Sequence, residues 1–496
     1  MLIAGLTELG NDEVYYWTYA LYPDWSHFDH PPMVGWLIQL FTFNLRLNHE
    51  IFIRLGALLC GTMTTWIVFL LGRKLKDDLT GFYAAALYSA SIYGSVIAGT
   101  FILPDSGQMV YWTASIYFLV DALAGDPADK INQRKMLAAG LMIGLGMLSK
   151  YTSIMLWVGA LAYVLLSARR WLRSPLLYIS MALTVLLFLP VLFWNWREDF
   201  VSFTYHSNRV EVFQFRLRPD YFLTEISGTF LYQNPINVVL IILSLLGLGR
   251  SRKHSISEKV KIILWCSLPL ALIMPAVSLF RSTLPHWSGP AYVGLILIAA
   301  LWLRGSIGLK QKNEIIFPLI LRFALGLTVF VAGVGIIQVR TGVLTGLLGI
   351  KENQNEPGAN DFSLDLFGWK QLHEKFNPMF KHDMESGLMR SKPVMLSWRW
   401  FPAANLDHYV ATPLGIKLYA EGELERIHKY KWINLERGTI PEGSDAYFIC
   451  SSREFADPVP YFSQKYKTLF PPDTIAIVRG GKRVMEFYIY RLKDRL

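Results

Sequence analysis

The chain has 496 residues, of which 53% are hydrophobic and only 17% carry charge, and its mean hydropathy is +0.31. Soluble globular domains usually carry about 25% charged residues, so this composition excludes a disordered or fibrous protein and an ordinary cytosolic enzyme. It predicts a polytopic α-helical membrane protein. The net charge of +10 is typical of basic cytoplasmic loops beside anionic membrane lipids. We expect no nucleic-acid partner, because no basic helix or aromatic RNA-binding motif accompanies this charge.

Apolar stretches recur along the first 340 positions, and a stretch of about 20 residues is long enough to cross a bilayer. A longer stretch, 136–167, is interrupted by Ser149-Lys150-Tyr151, and we interpret it as a hairpin of two short helices. Together these segments predict about ten membrane helices. Besides the hairpin, the predicted spans lie at about 51–72, 79–99, 104–123, 175–194, 229–249, 261–279, 287–303 and 315–338.

The distribution of Lys and Arg predicts which side of the membrane each loop faces. Short basic loops stay in the cytoplasm, and the basic clusters share one side only if the 136–167 hairpin crosses and returns. Lys150 then lies at an outer apex, and the loop at about 195–228 lies on the same outer side. The basic clusters are at 73–76, 130–135, 169–173, 250–261 and 304–312.

The chain changes character near residue 340. We predict a membrane domain at 1–340 with a first outer loop at 1–50, a polar linker at 341–360, and a small α/β domain on the outer side at 361–496. A start that lacks one membrane helix is also expected, because the first 11 residues are too short to span. Within the α/β domain, the pattern predicts a helix at about 366–377 and strands at 393–398, 445–450, 474–479 and 484–491.

Polar residues at a membrane edge are costly and are therefore functional candidates. Carboxylates can deprotonate an acceptor hydroxyl or hold a metal, cations stabilise a leaving phosphate, and aromatic rings stack on sugars. The residues on the predicted outer side favour group transfer from a lipid phosphate. They are Asp12, Glu13, Tyr15, Tyr16, His30, Asp105, Lys150, Tyr151, Arg281, His286 and Trp287.

Each of these residues also has a structural explanation. Carboxylates such as Asp12, Glu13 and Asp105 are stabilised at helix N-termini, and a lysine such as Lys150 can extend its charge to the membrane interface. Histidines beside prolines can be turn residues. No His, Asp or Glu residues have a clear metal-ligand spacing, so metal dependence and any cofactor stay unassigned. The arginines of the 195–228 loop are expected to be solvated; they are Arg197, Arg209, Arg216 and Arg218.

The same residues form ordered blocks that resemble bacterial glycosyltransferase family 39. These are GT-C class enzymes related to protein O-mannosyltransferases and to the aminoarabinose transferases of lipid A. Phe367-Gly368-Trp369 also resembles the start of their C-terminal outer domain. The ordered blocks are Asp12-Glu13-Val14-Tyr15-Tyr16-Trp17, Phe28-Asp29-His30-Pro31-Pro32-Met33, Leu103-Pro104-Asp105, Leu148-Ser149-Lys150-Tyr151-Thr152 and Leu284-Pro285-His286-Trp287-Ser288-Gly289-Pro290-Ala291-Tyr292.

The resemblance implies that a monosaccharide passes, with inversion, from a polyprenyl-phosphate donor to an envelope acceptor, which could be lipid A, a protein or a glycan. It places this transfer on the outer face of the bacterial inner membrane. Asp12 with Glu13, and Asp105, are the implied catalytic carboxylates. His30 stands where the aminoarabinose transferases carry a phosphate-binding lysine, so Lys150 and Arg281 are further phosphate candidates. The implied sugar or lipid contacts are Tyr15, Tyr16, Tyr151, His286 and Trp287.

Two other classes of function stay open at this point. A transporter or flippase would be expected to show inverted repeats and broken helices, but the sequence shows no repeat and the candidate charges collect on one predicted side. A non-catalytic envelope-assembly protein that keeps the fold is the other alternative.

Overall fold

The structure is a computed structural model that describes residues 2–210, 216–250, 256–306, 318–345, 357–390 and 392–496. It divides into two compact units. We call Asp24–Asn48 with Phe52–Val331 the helical unit, and Met1–Pro23, His49–Ile51 and Ala332–Leu496 the sheet unit. The first residues of the chain thus group with its C-terminal region, a division that differs from the predicted domain limits. The predicted linker at 341–360 lies largely outside the described residues.

Helices account for most of the first 341 residues. The sheet unit contributes α1 (Leu2–Leu6) and α2 (Asn11–Leu21), and the chain then continues into the helical unit. The following helices are α3 (Met33–Phe41), α4 (Glu50–Ile53), α5 (Leu55–Leu75), α6 (Asp78–Ala90), α7 (Pro104–Ala124), α8 (Lys130–Met147), α9 (Met155–Ser167), α10 (Pro175–Arg197), α11 (Val201–Val210), α12 (Pro219–Tyr232), α13 (Pro235–Arg250), α14 (Glu258–Ser278), α15 (Gly289–Ser306) and α16 (Leu319–Thr341).

The prediction of a polytopic helical membrane protein is confirmed. Within the described ranges, five helical segments are long and apolar enough to cross a bilayer, and the bent pair α12–α13 makes up to six. The 136–167 stretch forms α8 and α9, separated by a 3-10 turn at Tyr151–Ile154, so the predicted interruption is also confirmed. The five segments are Glu50–Leu75, Pro175–Arg197, Glu258–Ser278, Pro285–Ser306 and Leu319–Thr341.

Two glycines let the arms of the α8–α9 hairpin approach neighbouring helices. A Cβ on Gly140 of α8 would lie 2.4 Å from the carbonyl oxygen of Ser180 on α10, and one on Gly159 of α9 would lie 2.1 Å from that of Trp265 on α14. Lipid offers no hydrophobic force between helices, so close backbone packing through small residues stabilises such contacts. These two contacts hold the hairpin that carries Lys150.

The predicted span at 229–249 is interrupted, because the chain bends by 100° between α12 and α13. Asn234 occupies the bend with a φ of 68°, a left-handed conformation that asparagine tolerates. Its Nδ2 donates to the carbonyl oxygens of Ala90 and Ala324 at 3.0 and 2.9 Å, and its Oδ1 accepts from the Ile236 amide at 3.0 Å. The side chain thus begins α13 and satisfies carbonyls that lipid could not.

The C-terminal part of the sheet unit is an α/β fold, as predicted. Strands β1 to β6 form a mixed sheet in the order β2-β1-β3-β6-β4, with β5 also paired to β6. The strands are β1 (Val394–Ser397), β2 (Leu418–Ala420), β3 (Ala446–Ser451), β4 (Tyr466–Leu469), β5 (Asp473–Arg479) and β6 (Lys482–Arg495). The helices are α17 (Trp369–Glu385), α18 (Trp400–Leu406), α19 (Thr412–Leu414), α20 (Leu424–Ile427), α21 (Tyr430–Arg437) and α22 (Val459–Phe462).

The sheet contains four strands that the sequence predicted and two that it did not. Strand β1 is parallel to β2 and β3, whereas β6 is antiparallel to β3, β4 and β5. The predicted helix and the four predicted strands correspond to α17, β1, β3, β5 and β6. The short strands β2 and β4 were not predicted.

Helix α2 packs within the sheet unit against α18. The Nδ2 of Asn405 donates to the Oδ1 of Asn11 at 3.0 Å, and the rings of Tyr15 and Trp400 lie 4.9 Å apart. The start of the predicted first outer loop is therefore part of the fold that holds the C-terminal sheet.

Candidate active site

A buried ion pair lies at the centre of the candidate site in the helical unit. The Nζ of Lys150 donates to the Oδ2 of Asp105 at 2.8 Å, and the hydroxyl of Tyr93 donates to Oδ1 at 2.9 Å. Asp105 is 2% exposed and Lys150 is 6% exposed. Lys150 therefore does not extend into solvent, and the structure brings together two residues that the sequence analysis named separately.

Local structure explains how each partner reaches this position. Pro104 occupies the first position of α7, which suits its fixed φ, and places Asp105 in the first turn. Lys150 follows the end of α8, where its amide bonds to the Gly146 carbonyl at 2.9 Å. The Met33 amide donates to the Leu148 carbonyl at 3.1 Å, which ties the Phe28–Met33 block to the same turn.

The ammonium group of Lys150 can bind more than its carboxylate partner. A lysine has three N–H donors, and Asp105 is the one acceptor bonded to Nζ among the described residues. A buried pair stabilises a fold weakly, but removal of one partner leaves a costly uncompensated charge. The arrangement holds Lys150 in place while two of its donors stay available to an anion.

His30 lies beside this pair but is neutral at physiological pH. Its ring centroid is 5.8 Å from that of His206, whose Nε2 is 2.5 Å from the Asp29 carbonyl oxygen. Burial lowers the pKa of His30 to about 3, against the smaller influence of Asp29. Because the buried ring is uncharged, His30 can bind a phosphate as a neutral hydrogen-bonding group.

The later predicted block at Leu284–Tyr292 packs against the same cluster. His286 lies within electrostatic range of both Asp105 and Lys150. A Cβ on Gly289 would lie 2.3 Å from the ring of Tyr93, so the absence of a side chain there makes room for the tyrosine that bonds Asp105.

The expectation that the loop arginines are solvated is wrong for Arg209. This half-buried side chain lies over the rings of Trp287 and Tyr205, with its Cζ 4.8 and 5.5 Å from their centroids. It adds a cation that the sequence analysis did not select, because adjacency to Trp287 is not visible along the chain. Arg281, which was selected, is half-buried in the loop after α14, where its amide bonds to the Val277 carbonyl at 3.0 Å.

Asp12 and Glu13 have different environments in the sheet unit. Glu13 is buried and its Oε2 accepts from the Gly10 amide at 2.9 Å, so it caps the start of α2. Asp12 is exposed on the first turn and lines a cavity of about 400 Å³. The structural explanation considered for the pair therefore applies to Glu13, and Asp12 is the carboxylate that a substrate can reach.

The tyrosines named as sugar or lipid contacts lie among other aromatic rings. Tyr15 and Tyr16 are 1% and 6% exposed, and Tyr15 packs on Trp400. The ring of Tyr151 lies 5.7 Å from that of Phe203. These positions favour packing roles that hold α2 and the Lys150 turn in place.

Comparisons with known proteins relate the chain to membrane glycosyltransferases. The family model for dolichyl-phosphate-mannose-protein mannosyltransferases matches residues 29–194, which include His30, Asp105 and Lys150. The lipid A galacturonosyltransferase RgtD of Rhizobium johnstonii is 23% identical over 335 residues, which cover 64% of this chain and 67% of the relative.

Solved structures show the same fold. The crystal structure of ArnT from Cupriavidus metallidurans bound to undecaprenyl phosphate has a TM-score of 0.60 at 14% identity, over 98% of this chain and 95% of that chain. The apo form of ArnT has a TM-score of 0.56 at 15% identity, over 98% and 94% of the two chains. The chain is a glycosyltransferase with a GT-C fold. The resemblance to glycosyltransferase family 39 is thereby confirmed.

The described part of this glycosyltransferase contains no group of three or more His, Cys, Asp or Glu side chains placed to hold a metal ion. The positively charged side chains near the site include Lys150 and Arg209.

We expect Lys150→Met to reduce glycosyl transfer by about 100-fold or more, because a preorganised cation is lost. It should also destabilise the protein, since Asp105 is then buried without its counter-charge. The double variant Lys150→Met/Asp105→Asn should recover thermal stability but not activity. Lys135→Met is a matched control, because Asp121 keeps its second partner, Lys74, at 2.8 Å. Recovery of transfer in the double variant would assign the pair a structural role only.

The pKa of His30 predicts a stability change with pH. An unfolded histidine titrates near pH 6.5, whereas the folded pKa is about 3, so between these values the unfolded state binds more protons. The contribution of His30 to stability is present above the unfolded pKa and is lost as the pH falls. We therefore expect the melting temperature to fall less between neutral pH and about pH 5 in His30→Gln than in the wild type. The exposed-histidine control His49→Gln should behave like the wild type. Equal losses in all three proteins would contradict a neutral buried His30.

Proposed function

We propose that this glycosyltransferase moves a monosaccharide from a polyprenyl-phosphate donor to an acceptor in the cell envelope, with a lipid as the first candidate. The observation that carries the proposal is the buried Lys150–Asp105 pair with Tyr93. Support comes from the similar proteins, since ArnT was solved bound to undecaprenyl phosphate and RgtD is a lipid A galacturonosyltransferase. Protein and glycan acceptors stay within the proposal.

Lys150 binds the donor phosphate in this mechanism. Negative charge grows on the phosphate oxygens as the bond to the sugar breaks, and a cation already in place within a poorly hydrated site lowers that barrier. Asp105 and Tyr93 hold the ammonium group in position. Arg209, over the ring of Trp287, is the second cation that the helical unit offers to the donor.

Asp12 acts as the general base when the acceptor is a hydroxyl. It is exposed on the first turn of α2, whereas the carboxylate of Glu13 accepts from the Gly10 amide. A positioned carboxylate can remove the acceptor proton in the transition state. Glu13 then acts indirectly, by fixing the end of the helix that presents Asp12.

We place the protein in the bacterial inner membrane with its basic loops in the cytoplasm and the sheet unit in the periplasm. The clusters of Lys and Arg support this orientation, because short basic loops are retained on the cytoplasmic side. Donor and acceptor are both lipid-borne in this scheme, so the reaction would take place at the periplasmic face of the membrane.

We expect Asp12→Asn to lower transfer by about 100- to 10,000-fold, the usual cost of losing a general base, while folding stays near normal. Asp78→Asn is a matched control, since Asp78 is also an exposed aspartate in the first turn of a helix. Initial rates with a radiolabelled polyprenyl-phosphate sugar measure the effect. A rate for Asp12→Asn equal to that of the control would remove Asp12 from catalysis.

The orientation can be measured by thiol labelling. In a version with alanine at Cys60, Cys266 and Cys450, single substitutions Ala128→Cys and Ser463→Cys introduce thiols at exposed positions. In intact spheroplasts an impermeant reagent should label the Ser463→Cys protein at once and the Ala128→Cys protein only after lysis. The reverse pattern would overturn the proposed orientation.

A further inference from the structure

The cavity in the sheet unit offers more than the carboxylate of Asp12. Its volume of about 400 Å³ lies within the range of small-molecule sites. Residues from α2, α17, α18, β3 and β6 line it, together with the segment after β3. One wall is charged and another is aromatic, and each restricts the chemistry of a ligand.

The charged wall is not built for an anion. The Nη1 of Arg399 is 3.1 Å from the Oε2 of Glu454, and the Nη1 of Arg453 is 2.8 Å from the Oδ1 of Asp365. With Asp12, three carboxylates face two guanidinium groups, a net charge of 2 − 3 = −1. Burial raises the pKa of Glu454, and its protonation would bring the sum only to zero. In neither state would a phosphate meet the excess of positive charge that favours its binding.

The aromatic wall is formed chiefly by Trp369, Trp400 and Phe401. Trp400 is half-buried and stacks on His428, with ring centroids 5.3 Å apart and planes 13° apart. It also packs on Tyr15, so its ring is held in place before a ligand arrives. Such a rigid ring presents an apolar surface at little cost in conformational entropy.

The two walls together match a saccharide. A guanidinium group offers only donors and a carboxylate only acceptors, whereas each sugar hydroxyl is both. A wholly apolar ligand would cover the charged wall and take the remaining donors and acceptors of its ion pairs out of water without replacing those hydrogen bonds, which costs free energy. A sugar ring can pack its C–H face on Trp400 and direct hydroxyls to Arg399 and Glu454.

We propose that this cavity binds the saccharide part of the acceptor, and that the group attacking the donor is a sugar hydroxyl and not a phosphate oxygen. The inference rests on the proposed function. The hydroxyl oxygen forms a bond to the anomeric carbon of the donor, and its proton passes to the carboxylate of Asp12. The bond between the anomeric carbon and the phosphate oxygen breaks, its electron pair stays on that oxygen, and the products are a glycoside and polyprenyl phosphate.

Binding can be tested without transfer. Saturation-transfer NMR on the full-length protein in nanodiscs would use the N-acetylated glucosamine disaccharide and the same disaccharide with phosphates at both ends. We expect the neutral disaccharide to bind, with affinity about tenfold lower for Glu454→Gln, which removes a hydrogen-bonded charge. Glu421→Gln is the matched control, because Glu421 pairs with Lys465 and does not line the cavity. No binding of the neutral disaccharide, or equal binding by both variants, would overturn the inference.

Transfer separates this inference from the proposed function. Lipid A with its phosphates and lipid A with both phosphates removed would be compared with one radiolabelled polyprenyl-phosphate sugar. We expect the dephosphorylated lipid to accept the sugar in a bond that survives the mild acid that cleaves glycosyl phosphates. We also expect Glu454→Gln to raise the acceptor KM about tenfold with little change in the donor KM. Transfer only to the phosphorylated lipid, in an acid-labile bond, would overturn the inference but keep the proposed function. Absence of donor consumption with every acceptor, despite saccharide binding, would contradict the proposed function instead.

Discussion

The buried pair of Lys150 and Asp105 is the constraint on which the helical unit depends. An ion left unpaired in a poorly hydrated interior costs several kcal/mol, on the order of 3–5 when one partner of a buried pair is lost, so each of the two charged side chains is stable in its buried position only beside the other. Their meeting fixes the start of α7 against the turn between α8 and α9. Tyr93 adds a hydrogen bond to the carboxylate, and the close glycine contacts of both hairpin arms keep the turn in place.

Under the proposed function, the same pair lets the fold hold a cation ready for catalysis. Asp105 neutralises Lys150 in the absence of substrate, yet it uses one of the three ammonium donors, and a phosphate can bind the others. Two carboxylates of the sheet unit also have separate roles. Glu13 caps the start of α2, whereas Asp12, on the exposed side of the same turn, lines a cavity. In both units one charged group supports another that can meet a ligand.

Much of the fold could be predicted because its signals are local. Each signal lies within one short segment of the sequence. The signals are the apolar stretches, the interruption at Ser149-Lys150-Tyr151, and the apolar character of the longer strands. The bend at Asn234 was missed because average apolar character continues through it, although Asn234-Pro235 carries the signal of a helix start. Strand β2 contains only three residues, and two of the four residues of β4 are exposed, so neither has a buried run as long as that of β1.

The sequence by itself determined the class of protein and the order of the helices. It also singled out the charged residues at the membrane edge as candidates for a function. Tertiary structure alone decided their partners and burial. It paired Lys150 with Asp105 across 45 positions, placed Arg209 over Trp287, and made His30 neutral by burying it. It also brought Glu454 and Asp12 to one cavity. The reason is physical: hydropathy and periodicity are properties of neighbouring residues, whereas an ion pair, a pKa and a cavity depend on residues that only folding brings together.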